Sequence, residues 1–208
     1  MQFNLSTILF LLPSLITLIV LRIRKQPWVK ILSLLGWRLG APVYYLWALL
    51  FFLFAAIPPL LIGLFVFSDL WRHPHQGVTL YYYARFGFSP LSILIAILNE
   101  SFFTALGEES FFRGLLGGWF FRRFGFPVGN TLQTLVFLLP HFLTLLAGVY
   151  LWPLLVFPVI LGWLNGWLRY KSDSILPGML VHGLGNTLSD ALAMWLARVL
   201  LYGGIYIL

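Results

Sequence analysis

Apolar runs of bilayer length follow one another along nearly the whole chain. They cover Phe3 to Val20, about Pro42 to Phe67, and a long run from Ser89-Pro90 to near Arg122-Arg123. Further runs cover about Asn130 to Leu146, Tyr150 to Leu168, Ile175 to Asp190, and Ala191 to Leu208. A helix needs roughly 20 apolar residues to cross the hydrocarbon. The chain is 61% hydrophobic and 9% charged, with a mean hydropathy of +0.93. Soluble domains are about half apolar and about a quarter charged, so such a chain could not cover its own surface with polar groups. The expectation is an all-α fold: a polytopic transmembrane helical bundle of about seven spans enclosing an intramembrane polar chamber. A single membrane domain would occupy 1–208, with N-terminal spans and an interfacial loop in 1–88, a core in 89–190 and a last span in 191–208.

The chain contains no cysteine, which removes disulfides, thiolate nucleophiles and Cys-ligated zinc or iron–sulfur sites. The net charge of +7 does not indicate nucleic acid, because the bases are spread between apolar runs. They read as topology signals. Arg22, Arg24, Lys25, Lys30 and Arg38 follow the first run, Arg122 and Arg123 the third, and Arg169 and Lys171 the fifth. These are nine of the thirteen Lys and Arg residues, and all fall on one side if the N terminus is outside. The chain therefore reads as an integral, multi-pass protein of the cell membrane whose first run is an uncleaved span.

Local signals refine the picture. The stretch from Lys25 to about Leu39, with Trp28, Trp37 and Arg38, suits a membrane interface. Pro58-Pro59 must kink or break the second span. Ser68 to Ser89 is the longest polar stretch and reads as a loop, including its His73-Pro74-His75. Ser89-Pro90 is a helix start, with a capping serine and a first-turn proline.

Six acidic residues are present, and Glu100, Glu108 and Glu109 share one apolar helix. A charge at the bilayer centre costs about 2.5–3.5 kcal/mol on insertion scales, so these acids need polar partners. Glu109 and Arg113, four apart, stand one above the other and can form an ion pair. Glu108 points about 100° away, free to face a cavity. His141 follows Pro140 in an apolar span. His182 and Asn186 share a helical face, and the glycines between them permit close approach. Each group alone could be interhelical glue; three spans presenting polar groups together point to a site. The pair Gly162/Gly166 reads as a helix-contact stripe, and Glu100 as a supporting or interfacial group.

Glu108-Glu109-Ser110-Phe111-Phe112-Arg113 has the EExxxR pattern, Phe137 to His141 the FxxxH pattern, and His182 to Asn186 the HxxxN pattern. In this order, over about Pro90 to Asp190, the chain resembles the CAAX protease and bacteriocin-processing family of intramembrane endopeptidases. The resemblance implies that Glu108 is the general base, His141 its partner in activating water, and His182 and Asn186 the oxyanion donors. Glu109 and Arg113 would orient them. It also implies a membrane-associated or prenylated, CAAX-type peptide or protein as substrate. Peptide hydrolysis needs such a base and such donors. Zinc, held by Glu108, His141 and His182, is the alternative. With no His-Glu-x-x-His in the chain, a metal-free glutamate mechanism without cofactor is favoured. Two rivals are a catalytically silent immunity or scaffold protein and a small proton-coupled transporter.

Overall fold

Ser89 begins the helix that organises the molecule. In the computed structural model, which describes residues 5–70, 86–146 and 155–202 with positions 148 and 152, its side chain accepts from the Ser92 amide. The Ser92 hydroxyl accepts from the Ser89 amide in return, at 3.0 Å, so two otherwise orphaned donors are satisfied. The described residues are helical and include no strand.

α1 (Leu5–Ile23) ends with Lys25 in the left-handed region at φ 58°. The Gln26 amide reaches back to Leu21 O and the Lys25 amide to Arg22 O, which satisfies two of the terminal carbonyls. The short amphipathic α2 (Trp28–Leu35) buries Ile31 and Leu35 and exposes Trp28 and Val29. α3 (Val43–Leu70) continues across Pro58-Pro59 as one helix, so the proline pair does not break it.

α4 (Pro90–Leu98) runs on without interruption through a π-helical segment (Asn99–Thr104), one α turn (Ala105–Glu108) and a second π segment (Glu109–Gly117). It continues into α5 (Gly118–His141), which Gly125 breaks at φ 73° and ψ 176°. That left-handed residue turns the chain near Arg122-Arg123, where the sequence predicts a span to end. Pro90–Leu146 is the one stretch long and apolar enough to cross a membrane among the described residues. Thr7–Ile23 and Val43–Ile57 are shorter apolar helices.

α6 (Val156–Ser172) and α7 (Leu176–Tyr202) complete the described chain. The predicted boundary between two spans at Asp190 is not there: α7 passes through it unbroken, and Asp190 is buried within the bundle. His73-Pro74-His75 lies outside the described residues.

α7 packs along α3, α6 and the first π segment. The seam joins Ala48, Leu161, Leu168 and Val181, flanked by Tyr44, Phe51 and Trp167. Outward faces are apolar: Leu9, Ile16, Leu46, Leu53, Leu91 and Phe102 are each at least half exposed. Polar residues occupy the inside, including Glu100, Glu109, Arg113, Asn130, Gln133 and Asn165. This inverted distribution suits a hydrocarbon surround.

Three of the basic segments meet at one end of the bundle. Arg169 Nη1 bonds Asp173 Oδ1 at 2.7 Å, and its Nη2 donates to Leu34 O at 3.2 Å. Arg38 Nη1 bonds Asp173 Oδ2 at 3.0 Å. The Ser174 hydroxyl donates to Arg38 O, and the Ile175 amide to Gly36 O. A Cβ added to Gly118 would lie near both Arg122 and Arg169. The end of α2, the start of α5 and the α6–α7 turn are thereby fastened together.

Candidate active site

The second π segment begins at Glu109 and contains Arg113. π-helical turns close through i→i+5 bonds and occur frequently at functional sites. Both side chains are fully buried, and Arg113 Nη1 lies 3.1 Å from Glu109 Oε1. The approach lacks hydrogen-bond alignment, and no guanidinium nitrogen has an acceptor among the described groups. Charge holds the pair, together with the Phe137 ring, whose centre lies 3.9 Å from the Arg113 guanidinium carbon. A desolvated cation over an aromatic face is worth about 2 kcal/mol.

Glu109 Oε1 collects two further donors. Asn165 of α6 donates from Nδ2 at 3.0 Å and also reaches Gly178 O at 3.1 Å. His182 Nδ1 donates at 2.9 Å. Each of these acceptors can only accept, which fixes Nδ1–H on His182 and the NH₂ end of Asn165. Glu109 Oε2 has no hydrogen-bond partner, and Gly178 leaves it room: a Cβ there would stand 3.2 Å away.

Glu108 is the contrasting carboxylate. Its side chain is 14% exposed, its Oε2 lies 3.7 Å from His182 Nε2, and that oxygen makes no hydrogen bond. One imidazole thus faces both glutamates, a bonded one through Nδ1 and a free-ended one through Nε2. Leaving buried carboxylate oxygens unbonded is costly, about 1–3 kcal/mol or more each.

One turn along α7, Asn186 Nδ2 donates to Glu100 Oε2 at 3.1 Å. Asn99 Nδ2 holds the other oxygen of Glu100 at 2.9 Å. Asp190 follows one turn later, also buried. His182, Asn186 and Asp190, spaced by four, line the side of α7 that meets the α4 rod. The helices come close there because Gly183 has no side chain: a Cβ would sit 2.7 Å from Ser101 Cα. Ser110, between the two halves of the EExxxR pattern, anchors the first helix. Its carbonyl accepts from Ser14 Oγ at 3.0 Å, and its hydroxyl from Trp37 Nε1 at 3.1 Å.

Measured against the sequence reading, the Glu109–Arg113 pair and the divergence of Glu108 are as expected. The pairing of Glu108 with His141 is not formed. His141 Nδ1 donates to Phe137 O of its own helix at 2.9 Å. Its ring stands 4.7 Å from the Phe137 ring, which meets His182 edge-on at 6.0 Å. Phe137 therefore touches both histidines, and His182 is the imidazole beside Glu108. Asn165, which sat unnoticed inside the Gly162/Gly166 stripe, bonds the buried glutamate. The stripe itself packs as expected: a Cβ on Gly166 would strike Asn130 and Gln133. Trp37, read as interfacial, turns inward to Ser110.

The metal alternative can be set against the donor geometry. Among the described residues no three His, Asp or Glu side chains converge as a ligand set. His182 presents its nitrogens to the two carboxylates, and His141 Nδ1 is committed to a carbonyl. Glu108, His141 and His182 do not form the three-ligand arrangement that zinc requires.

In a comparison with protein families, residues 90–188 match the type II CAAX prenyl endopeptidase Rce1-like family. Comparisons with curated proteins and with solved structures give no match. The matched range coincides with the α4 rod, α5, α6 and the first half of α7, which carry Glu100, Glu108, Glu109, Arg113, His141, Asn165, His182 and Asn186. Residues 90–188 are an Rce1-like domain of the CAAX protease and bacteriocin-processing family, a family of integral membrane proteases.

Proposed function

We propose that this chain is an intramembrane endopeptidase that hydrolyses a peptide bond of a membrane-associated, CAAX-type substrate without a metal. The observation carrying this reading is the pair of adjacent glutamates on one imidazole: Glu109 held through Oε1 by His182, Asn165 and Arg113, Glu108 beside it and open. A base must have a free oxygen near the reacting water, and Glu108 Oε2 has no hydrogen-bond partner.

In the proposed reaction Glu108 accepts a proton from water as the water oxygen bonds to the scissile carbonyl carbon. The carbonyl oxygen takes up the electron pair and is met by donors on α7, Asn186 Nδ2–H and His182 Nε2. With His182 Nδ1 committed to Glu109, donation from Nε2 requires the imidazolium. Collapse of the intermediate breaks the C–N bond, and Glu108 returns its proton to the leaving amine. Removing a positioned acid–base group of this kind costs about 10²–10⁴-fold. His141, with Nδ1 donating to its own helix, keeps Nε2 as an acceptor for the same water.

The supporting cast follows from the hydrogen bonds. Asn165 and Arg113 hold Glu109, Glu109 holds His182, and Glu100 holds Asn186. We read the long helices as membrane spans with the N terminus outside, since three basic segments gather at one end of the bundle as the positive-inside rule requires.

The test is cleavage of a prenylated CAAX-type peptide by the full chain in detergent. Glu108→Ala should abolish it, and full activity in that variant would sink the proposed chemistry. Loss on chelation restored by zinc would overturn the metal-free mechanism.

A further inference from the structure

A groove away from the site lies where α1 ends and α2 begins. It has a volume of about 400 Å³ and is lined by Leu18, Ile19, Arg22, Ile23, Lys25 and Trp28. Its chemistry is graded along its length. Leu18, Ile19 and Ile23 form an apolar wall on the last turns of α1, with Ile19 and Ile23 more than half exposed. Arg22, Lys25 and Trp28 form the other end.

Both cations lack an acidic partner among the described residues. The ion pairs at Arg38, Arg113 and Arg169 lie elsewhere in the molecule. Arg22 is nevertheless held: its guanidinium carbon lies 5.4 Å from the centre of the Trp28 ring, and Nη1 donates to Gln26 O at 3.4 Å. Lys25 stands at the turn, its backbone in the left-handed region, and also lines the groove. Two cations at the end of an apolar wall, with a tryptophan alongside, complement one ligand class. That class has a negative headgroup and a hydrocarbon tail.

We propose that this groove binds an anionic phospholipid, its phosphate on Arg22 and Lys25 and an acyl chain along Leu18, Ile19 and Ile23. A peptide fits poorly, because the groove offers cations but no acceptor side chain to pair backbone amides. The occupant would brace the α1–α2 corner, and α2 is the helix whose carbonyls Arg169 caps. The proposal does not depend on the protease reading.

The experiment is native mass spectrometry of the full chain in detergent, titrated with phosphatidylglycerol or phosphatidylcholine. Two basic contacts are worth about fivefold each at a membrane surface, so retention of one phosphatidylglycerol should be favoured by on the order of tenfold or more. Arg22→Gln/Lys25→Gln should reduce that preference to near parity, while Arg123→Gln should leave it intact. Equal retention of the two lipids by the unaltered chain would overturn the proposal. So would a preference that survives the double substitution. Should that variant fail to fold, Ile19→Trp, which fills the groove while leaving both cations, should displace the lipid. Undiminished binding there would equally overturn the proposal.

Discussion

The guanidinium carbon of Arg113 lies over the ring of Phe137, 3.9 Å from its centre. This contact couples the second π segment to α5 and replaces the hydrogen bonds that the buried guanidinium does not make. The phenylalanine of the FxxxH pattern is therefore a seat for the arginine of EExxxR. Phe137→Leu keeps the apolar volume but loses the aromatic face. It should lower stability by about 1–2 kcal/mol, read by thermal unfolding in detergent, and should reduce cleavage as Glu109 loses its fixed counter-charge.

Asn165 is the test of whether Glu109 needs more than its arginine. Hydrogen bonds to charged groups contribute about 1.5–3 kcal/mol, and Asn165→Ala removes one of these together with the bond to Gly178 O. We expect the turnover rate to fall at least roughly tenfold with a smaller change in KM. Unchanged turnover would mean that Arg113 and His182 suffice to hold the carboxylate.

Glu100 and Asn186 give a discriminating pair of substitutions. Glu100→Gln retains a carbonyl oxygen that can accept from Asn186 Nδ2, whereas Glu100→Ala retains nothing. Turnover should be largely kept in the first and lost by about tenfold or more in the second. Equal losses in both would show that the negative charge, and not the acceptor, is what matters at this position.

The approach of α7 to the rod can be probed at Gly183. An added Cβ would meet Ser101 Cα at 2.7 Å, a backbone atom that no rotamer change can move. Gly183→Ala should cost about 1–3 kcal/mol and separate His182 from the glutamates, so both unfolding temperature and cleavage rate should drop.

At the basic end, two arginines share one aspartate and should behave unequally. Arg38 is half exposed, and Arg38→Ala should cost less than about 1 kcal/mol. Arg169 is buried and caps carbonyls of α2 besides pairing with Asp173, so Arg169→Ala should cost about 3 kcal/mol or more. Thermal melts of the two variants side by side decide it.

Much of this was legible from residue types and spacing. Ser89-Pro90 announced a capped helix, and the i,i+4 spacing of Glu109 and Arg113 announced their pair. The order of the three short motifs marked the domain that the family comparison finds at residues 90–188. What escaped were features set by helix register and tertiary partners. Glu100 falls about 80° round an ideal helix from Glu108, but the first π segment intervenes, and it serves Asn186 after all. Asn165 lay in a glycine stripe that explained itself as packing, and no spacing rule links it to a glutamate 56 positions earlier. His141 and Glu108 were joined by the family resemblance, and motif order carries no information about which imidazole stands beside the glutamate. Asp190 closes one apolar run and precedes another, and residue type alone does not decide whether the helix continues through it.

The two π segments also set how tolerant this chain is to changes in length. Each wide turn holds one residue more than the α-helical turn it replaces, so each acts as an indexing step along a single rod. Deleting one residue from 101–104 would let that stretch relax into α-helix, and because the wide turn already absorbs one residue, Glu100 would keep its phase relative to Glu108, Glu109 and Arg113. Adding one residue within the α turn Ala105–Glu108, with no wide turn to absorb it, would rotate everything upstream by about 100° and turn Glu100 away from Asn186. The rod thus tolerates a change of length where a wide turn holds a spare residue, and one codon elsewhere is enough to put its acids out of phase.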